Sequence, residues 1–473
     1  YLISSSQTAR TPSIGSGNRR RQPSKPAVAS GSAASKAKAP HHHAKAPSAP
    51  APKHVPHIDV TGNRFAELGV PEKLVQLLAA EGVTEPFPIQ EATLPDSLAG
   101  RDVLGQGQTG SGKTLAFALP LVARLAAKQV APMRGRPRAL VLVPTRELAT
   151  QVAAVIAPLA AAYKMSTVTV FGGVTHGAQR KAFADGVEIV VACPGRLLDH
   201  MKQGDVSLDR IEICVLDEAD HMADQGFLPM VKRILDKTPA GGQRMLFSAT
   251  LAGGVDILIK RYLERPVSHA AAIEAPALLE HRVLVVEEGD RLMEIAKMAR
   301  AGRVVVFTRT KHRAKQLARK LDAAGVGAVD LHGNLSQNAR ERNLAAFASG
   351  KATALVATDI AARGIHVDDV PLVVHADPPV EHKAYVHRSG RTARAGAAGQ
   401  VVTIATPDQV AEVRMLLKKA GVTATWEGIA VHAGNAAPKA AAPSRSANRG
   451  NTRPPSAPGG RSRQAARSFG RGR

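Results

Sequence analysis

Between residues 65 and 420 the chain alternates short apolar runs with stretches of helical period. Residues 70–80 carry apolar positions at helical spacing and predict an amphipathic helix. Strand-like runs follow at 139–143, 167–171, 188–192, 211–216 and 244–247, with helices opening at Arg146 and Phe227. Runs such as ALVLV and ICVL are apolar throughout. That pattern predicts strands buried on both faces, as in a parallel sheet covered by helices on each side. Around 270–279 the pattern lapses into an Ala/Pro segment and then resumes. Strands are predicted at 281–286, 304–307, 328–331, 354–357, 372–375 and 401–404. Helices open at Arg291, Lys311, Ser336 and Glu381, and a last one runs near 408–420. The chain therefore predicts two α/β domains of similar build, 61–270 and 281–431, joined by a linker at 271–280.

The two ends read differently. Residues 1–60 and 432–473 are low-complexity Ser, Pro, Ala, Lys, Arg and Gly without apolar periodicity, which predicts disordered tails. The second tail carries no acidic residue and ends RSRQAARSFGRGR. His41–His43 belong to a biased tract, with no Cys or carboxylate at ligand spacing. The chain opens on Tyr1 and not on Met, which leaves its true start undetermined.

Charge narrows the function. The 473 residues carry a formal net charge of +24, and aromatics make up only 3%. A basic chain poor in aromatics suits a partner held by its phosphates more than by base stacking. Two cysteines, Cys193 and Cys214, exclude a disulfide framework and a cysteine-rich zinc site. No apolar run reaches the length of a membrane span, and no signal-peptide core is present. The expectation is a reducing cytoplasmic compartment and no membrane partner.

The chemistry concentrates in three stretches. GQGQTGSGKT (105–114) lies between a strand-like run and an apolar helical run, and contains G-x-x-x-x-G-K-[ST] as Gly107, Gly112, Lys113 and Thr114. Glycines let successive N–H groups turn toward a polyphosphate, and the helix N-terminus adds positive potential. Lys113 reaches the outer phosphates and the Thr114 hydroxyl ligates Mg²⁺. The second stretch, ICVLDEAD (213–220), brings Asp217 and Glu218 to the carboxyl end of a buried strand, where open α/β sheets bind ligands. Asp217 is placed to hold Mg²⁺ and Glu218 to orient or deprotonate water. A lone DE pair equally fits a solvated acidic turn; the phosphate loop upstream tips the balance. The third, HRSGRTARAG (387–396), repeats arginine every three residues: Arg388, Arg391 and Arg394. Arginines at that spacing share one side of a helical turn. By spacing alone that face suits solvent or RNA phosphates better than a γ-phosphate.

Taken together, these stretches and their order resemble the DEAD-box family of ATP-dependent RNA helicases in superfamily 2. GVTEPFPIQ, ending at Gln90 with Phe65 upstream, is similar to the family's Q motif. QTGSGKT (108–114), PTRELA (144–149), Gly172–Gly173, CPGR (193–196), DEAD (217–220) and SAT (248–250) follow in order. VVVFTRT (304–310), HGNLSQNAR (332–340), ATDIAARGI (357–365) and HRSGRTARAG complete the set in the second domain.

The resemblance implies two tandem RecA-like domains and a role for each matching residue. Gln90 would read the adenine edge and Phe65 would stack on it. Gln108, Thr109, Gly110, Ser111, Gly112, Lys113 and Thr114 would bind ATP. Thr114 and Asp217 would hold Mg²⁺, with Glu218 catalytic. Ser248 and Thr250 would couple nucleotide state to RNA. Arg391 and Arg394 would be arginine fingers, and His387 would link the domains. Pro144, Thr145, Arg146, Gly173, Pro194, Gly195, Arg196, Thr308 and Thr358 would grip the RNA backbone, with little base readout. Four positions depart from the family pattern: Gly107 for Ala, Phe87 for Thr or Ser, Cys193 for Thr and His366 for Asp. The reading that results is an RNA helicase that unwinds short duplexes or remodels RNA–protein complexes, with RNA and ribonucleoproteins as partners. An ATP-gated RNA clamp, an annealing chaperone or a DNA helicase are the competing readings.

Overall fold

The computed structural model describes residues 62–107, 110–128, 130–270, 279–362, 370–393 and 398–429. The two tails, most of the expected linker, and Gln108, Thr109, His366 and Arg394 lie outside them. The described residues fall within one compact unit, Pro52–Arg473.

The strands are β1 (Val103–Gln106), β2 (Ala139–Leu142), β3 (Thr167–Val170), β4 (Ile189–Ala192), β5 (Ile213–Asp217), β6 (Gln243–Ser248) and β7 (Val267–Ala270). The second set is β8 (Leu279–Val285), β9 (Val304–Thr308), β10 (Ala328–Leu331), β11 (Ala354–Thr358), β12 (Leu372–His375), β13 (Gly399–Ala405) and β14 (Thr425–Gly428). The first sheet is ordered β3-β4-β2-β5-β6-β1-β7 and the second β10-β11-β9-β12-β13-β8-β14. Each strand of the second order stands seven places after its counterpart in the first, so the two sheets share one topology. All pairings are parallel.

The central strands show why the apolar runs were continuous. In β2, Ala139 and Val141 join the core on one face, while Leu140 and Leu142 join the core on the other. In β9, Val305 and Phe307 face one core, and Val304 and Val306 the opposite one. Successive side chains alternate faces, and helices cover both, so no position along these strands meets water. The edge strands β7 (VSHA) and β14 (TWEG) are half-exposed and escape the apolar pattern. Among the described residues no helix is long and apolar enough to cross a membrane.

Candidate active site and nucleic-acid interface

Strands β5, β6 and β1 are neighbours, so their carboxyl ends meet at one edge of the first sheet. From these ends emerge the phosphate loop, the acidic tetrapeptide and the SAT turn. Gly112 sits in the left-handed region (φ 85°) as the N-cap of the helix Lys113–Ala127. A Cβ there would lie 2.5 Å from Gln90 Nε2 and 2.9 Å from the Phe87 ring. Glycine is therefore required twice over, by conformation and by space. The positive end of this 15-residue helix's dipole lies at the loop and favours an anion there.

Lys113 is buried, and its ammonium donates to the Gly107 carbonyl at 2.7 Å. It also lies 3.4 Å from the Glu218 carboxylate. Asp217, the last residue of β5, is buried beside them and accepts the Glu218 N–H at 3.0 Å. Glu218 itself adopts φ 53°, ψ 50°, a conformation non-glycine residues seldom take. Such strain persists where the surroundings over-determine it, and it clusters at functional sites.

The SAT turn is bolted to this centre by a residue that sequence reasoning left without a role. Asp220 accepts the Thr250 N–H at 2.9 Å and the Thr250 hydroxyl at 3.1 Å. The Asp220 N–H donates to Ser248 Oγ at 3.1 Å. Ser248 O in turn accepts the Gly107 N–H at 3.1 Å. A chain of hydrogen bonds thus runs from the phosphate loop through Ser248 to Asp220 and Thr250. The clue available in the sequence was an acidic residue three places after Asp217, but its partner lies thirty residues on.

Gln90 supports the phosphate loop from within the chain. The Gln90 side chain accepts the Phe87 N–H at 3.0 Å and donates to the Gly112 carbonyl at 2.9 Å. Its amide is engaged at both ends within the chain. Phe65 is wholly buried in the core with Phe117. Phe87 is 46% exposed beside Gly112, so an apolar ring stands at the rim where the family pattern has a hydroxyl.

A second constellation lies further along the same sheet edge. The helices Arg146–Ala161 and Pro194–Gln203 begin where β2 and the neighbouring β4 end. Thr145 caps the first, its hydroxyl accepting the Leu148 N–H at 3.3 Å. Pro194 occupies the first turn of the second, and Gly195 is exposed there. Gly173 (φ 83°) packs directly on the Arg146 guanidinium, leaving no room for a Cβ. Arg196 donates to the Val174 carbonyl at 3.1 Å. Burial, partly offset by Asp199, and the like charge of Arg146 push the Arg196 guanidinium below its ordinary value. Two arginines held close at adjacent helix N-termini make an anion-seeking surface. Beneath it, burial chiefly, with Glu147 adding to it and Arg146 opposing, pushes the Cys193 thiol up to about 12.

In the second sheet, Thr308 and Thr358 end β9 and β11 and are direct partners in register. Both side chains are buried or nearly so. The arginine run behaves differently from its periodicity. The helix His382–Ser389 ends at Gly390, so Arg391 lies beyond it and does not share a helical face with Arg388. Arg388 is 2% exposed and faces inward. It is paired with Asp359 (Nη2 to Oδ2 2.8 Å), donates to the Asp377 carbonyl at 2.8 Å, and lies over the Phe307 ring at 5.2 Å. Arg391 and His387 line a small cavity with Phe307, Asp359, Ala362 and Arg388.

The two sheet units touch through a buried ion pair. Arg340 of the helix Gln337–Ala348 donates through Nε to Glu147 Oε1 at 2.6 Å, with both side chains under 10% exposed. Arg340 also donates to the His332 carbonyl at 3.1 Å. Its partner Glu147 stands next to Arg146, at the arginine-lined surface described above.

Known proteins share this arrangement. Residues 87–257 match the family model for DEAD/DEAH box helicases, and 287–396 that for the helicase conserved C-terminal domain. A chloroplastic DEAD-box ATP-dependent RNA helicase 3B of Zea mays is 41% identical over 368 residues, covering 76% of this chain and 49% of that protein. The ATP-dependent RNA helicase CshA of Listeria monocytogenes is 38% identical over 358 residues, covering 75% of this chain and 68% of that protein. The chain thus spans only about half the length of some curated relatives it matches. Among solved structures, S. cerevisiae Dbp5 bound to RNA and ADP BeF3 superposes with a TM-score of 0.68 at 28% identity, over 78% of this chain and 96% of that one.

Proposed function

This chain belongs to the DEAD-box family of superfamily 2 helicases, and from that membership we propose that it is an RNA-stimulated ATPase that locally unwinds short RNA duplexes or remodels RNA–protein complexes. The observation that carries the reading is the Lys113–Glu218–Asp217 cluster at the phosphate loop, tied by hydrogen bonds to the SAT turn. A bound γ-phosphate would compete with Gly107 O and Glu218 for Lys113, freeing the Glu218 carboxylate to orient and deprotonate water. Gln108, Thr109, Gly110, Ser111 and Gly112 would offer N–H groups to the phosphates. The glycine cradle at Gly112 and the positive helix N-terminus fit such an anion.

The oxygen donors Thr114 and Asp217 fit Mg²⁺, which takes one or two protein oxygens and completes its shell with phosphates and water. Bound there, the ion would neutralise charge on the phosphates. Arg391 and Arg394, with His387, would meet the γ-phosphate from the second unit. That requires the two units to close, a state RNA favours by binding across both. Gln90 and Phe65 are proposed to shape the adenine end, Gln90 by holding Gly112 and Phe87 in place. The RNA backbone would lie over Pro144, Thr145, Arg146, Gly173, Pro194, Gly195 and Arg196 in one unit, and over Thr308 and Thr358 in the other. The yeast relative solved with RNA and ADP BeF3 supports both ligands for this architecture. A cytoplasmic location and ribonucleoprotein partners belong to the same proposal.

The test is ATPase activity of the full chain with Mg²⁺, with and without single-stranded RNA. Stimulation by RNA above that by DNA of equal length is expected. Glu218→Gln should bind ATP and RNA and fail to turn over; wild-type turnover by this variant refutes the assignment.

A further inference from the structure

Gln179 and His200 stand behind the arginine-lined surface, and neither carries a role in the reading above. Both are buried, His200 completely. Their contacts form an unbroken line. Asp205 Oδ2 lies 2.8 Å from His200 Nδ1, and His200 Nε2 lies 2.9 Å from Gln179 Oε1. The same Oε1 accepts from Arg196 Nη1 at 3.3 Å. Gln179 Nε2 donates to the Phe171 carbonyl at 3.1 Å, just before the Gly172–Gly173 turn.

These partners fix the orientation of the Gln179 amide. Phe171 presents a carbonyl, so the Gln179 amide nitrogen must face it and the amide oxygen must face His200 and Arg196. A flipped amide would set oxygen against oxygen at Phe171 and NH₂ against a guanidinium at Arg196. Asp205 is a carboxylate, also taking Arg180 Nε at 3.3 Å. The His200 ring therefore bridges the Asp205 carboxylate and the Gln179 amide oxygen. The rings of His176 and Phe183 pack edge-on against it, with centroids at 5.2 and 5.3 Å, and leave the plane no freedom.

We propose that Asp205, His200 and Gln179 form a positioning relay that holds Arg196 and the Gly172–Gly173 turn in the geometry that grips an RNA backbone. Arg196 then has two anchors, Gln179 Oε1 and the Val174 carbonyl, and both depend on the segment that Gln179 clamps. An arginine pinned before RNA arrives loses less side-chain freedom on binding than one that must be ordered then. Immobilising one such side chain costs an amount equivalent to roughly a 2- to 12-fold change in affinity. The proposal rests on the RNA-contact reading of Arg196, and its test separates the two.

The experiment measures, on the full chain, the concentration of oligouridylate giving half-maximal ATPase stimulation, the turnover at saturating RNA, and the thermal midpoint. The variants are Gln179→Leu, Asp205→Ala, Arg196→Ala and each of the first two combined with Arg196→Ala. Gln179→Leu should raise the half-maximal RNA concentration by roughly 2- to 10-fold with saturated turnover unchanged. Asp205→Ala, at the partly exposed far end, should act in the same direction and by less. In the Arg196→Ala background each should add less than it does alone, because only the Gly172–Gly173 turn is left for the relay to position. If Arg196→Ala leaves RNA affinity at the wild-type value, the RNA-contact reading itself falls. If Arg196→Ala weakens RNA while Gln179→Leu and Asp205→Ala do not, the relay alone is overturned. Full additivity of Gln179→Leu with Arg196→Ala, or a loss confined to thermal stability and turnover, overturns it equally.

Discussion

Replacing Glu147 by glutamine perturbs the contact between the two sheet units while sparing the fold of each. Glu147 and Arg340 are 193 residues apart in sequence, buried together, and 2.6 Å apart. A hydrogen bond to a charged group contributes about 1.5–3 kcal/mol, and a neutral one about half of that. Glutamine keeps an oxygen for Arg340 and loses the charge, so the closed arrangement should weaken by about 0.8–1.5 kcal/mol. Arg340→Ala is harsher, because it leaves a carboxylate buried without its partner, a loss of about 3–5 kcal/mol in a fixed structure. Here the penalty has an escape: parting the units returns Glu147 to water, so it appears as opening and not as unfolding. Closure that RNA must drive subtracts directly from apparent RNA affinity. The RNA concentration for half-maximal ATPase should therefore rise about 4- to 12-fold in Glu147→Gln. ATP turnover without RNA and the thermal midpoint should change little. The Glu147→Gln/Arg340→Gln double-mutant cycle isolates the pair from any direct effect of Glu147 on Arg146. Additivity within about 0.3 kcal/mol would mean that the pair does not couple, and the closure argument would be abandoned.

Other expectations are independent of that pair. Asp220→Asn places an NH₂ where Asp220 now accepts from His221 or Thr250; losing one such bond, about 1–3 kcal/mol, should lower RNA-stimulated turnover more than ATP affinity, and a parallel fall in both would contradict the coupling role. Burial pushes Cys193 up to about 12 and Cys214 up to about 11. At pH 8 the thiolate should then be roughly one part in a thousand or less. The native chain should resist iodoacetamide until denatured, and rapid labelling of one equivalent would show the site to be open. The tails carry eighteen Lys and Arg against Asp59 alone, most of the formal +24. A chain cut to 61–431 should keep its turnover at saturating RNA but bind RNA more weakly, with a shallower salt slope of about 0.7 less per lost phosphate contact. An unchanged slope would leave the tails no tethering role.

How much was legible in the chain differs from part to part. The phosphate loop, the acidic strand end and the central strands were readable because their signals are local. Gly112 needs a left-handed backbone, Lys113 follows it directly, and β2 or β9 is apolar at every position because helices cover both faces. The edge strands β7 and β14 went unread for the converse reason: with one side open they carry His, Ser, Trp and Glu like any loop. Periodicity misled at Arg388 and Arg391, since a three-residue repeat implies a shared face only while the helix continues, and it stops at Gly390. Tertiary packing alone turned Arg388 inward to Asp359, gave Asp220 the SAT turn, tied Gln90 to Gly112, and set His200 between Asp205 and Gln179. Each of these pairs an ordinary polar residue with a partner brought near by the fold. A side chain's type limits what it can bond, but which partner it meets is decided by where distant strands end, and no local pattern records that.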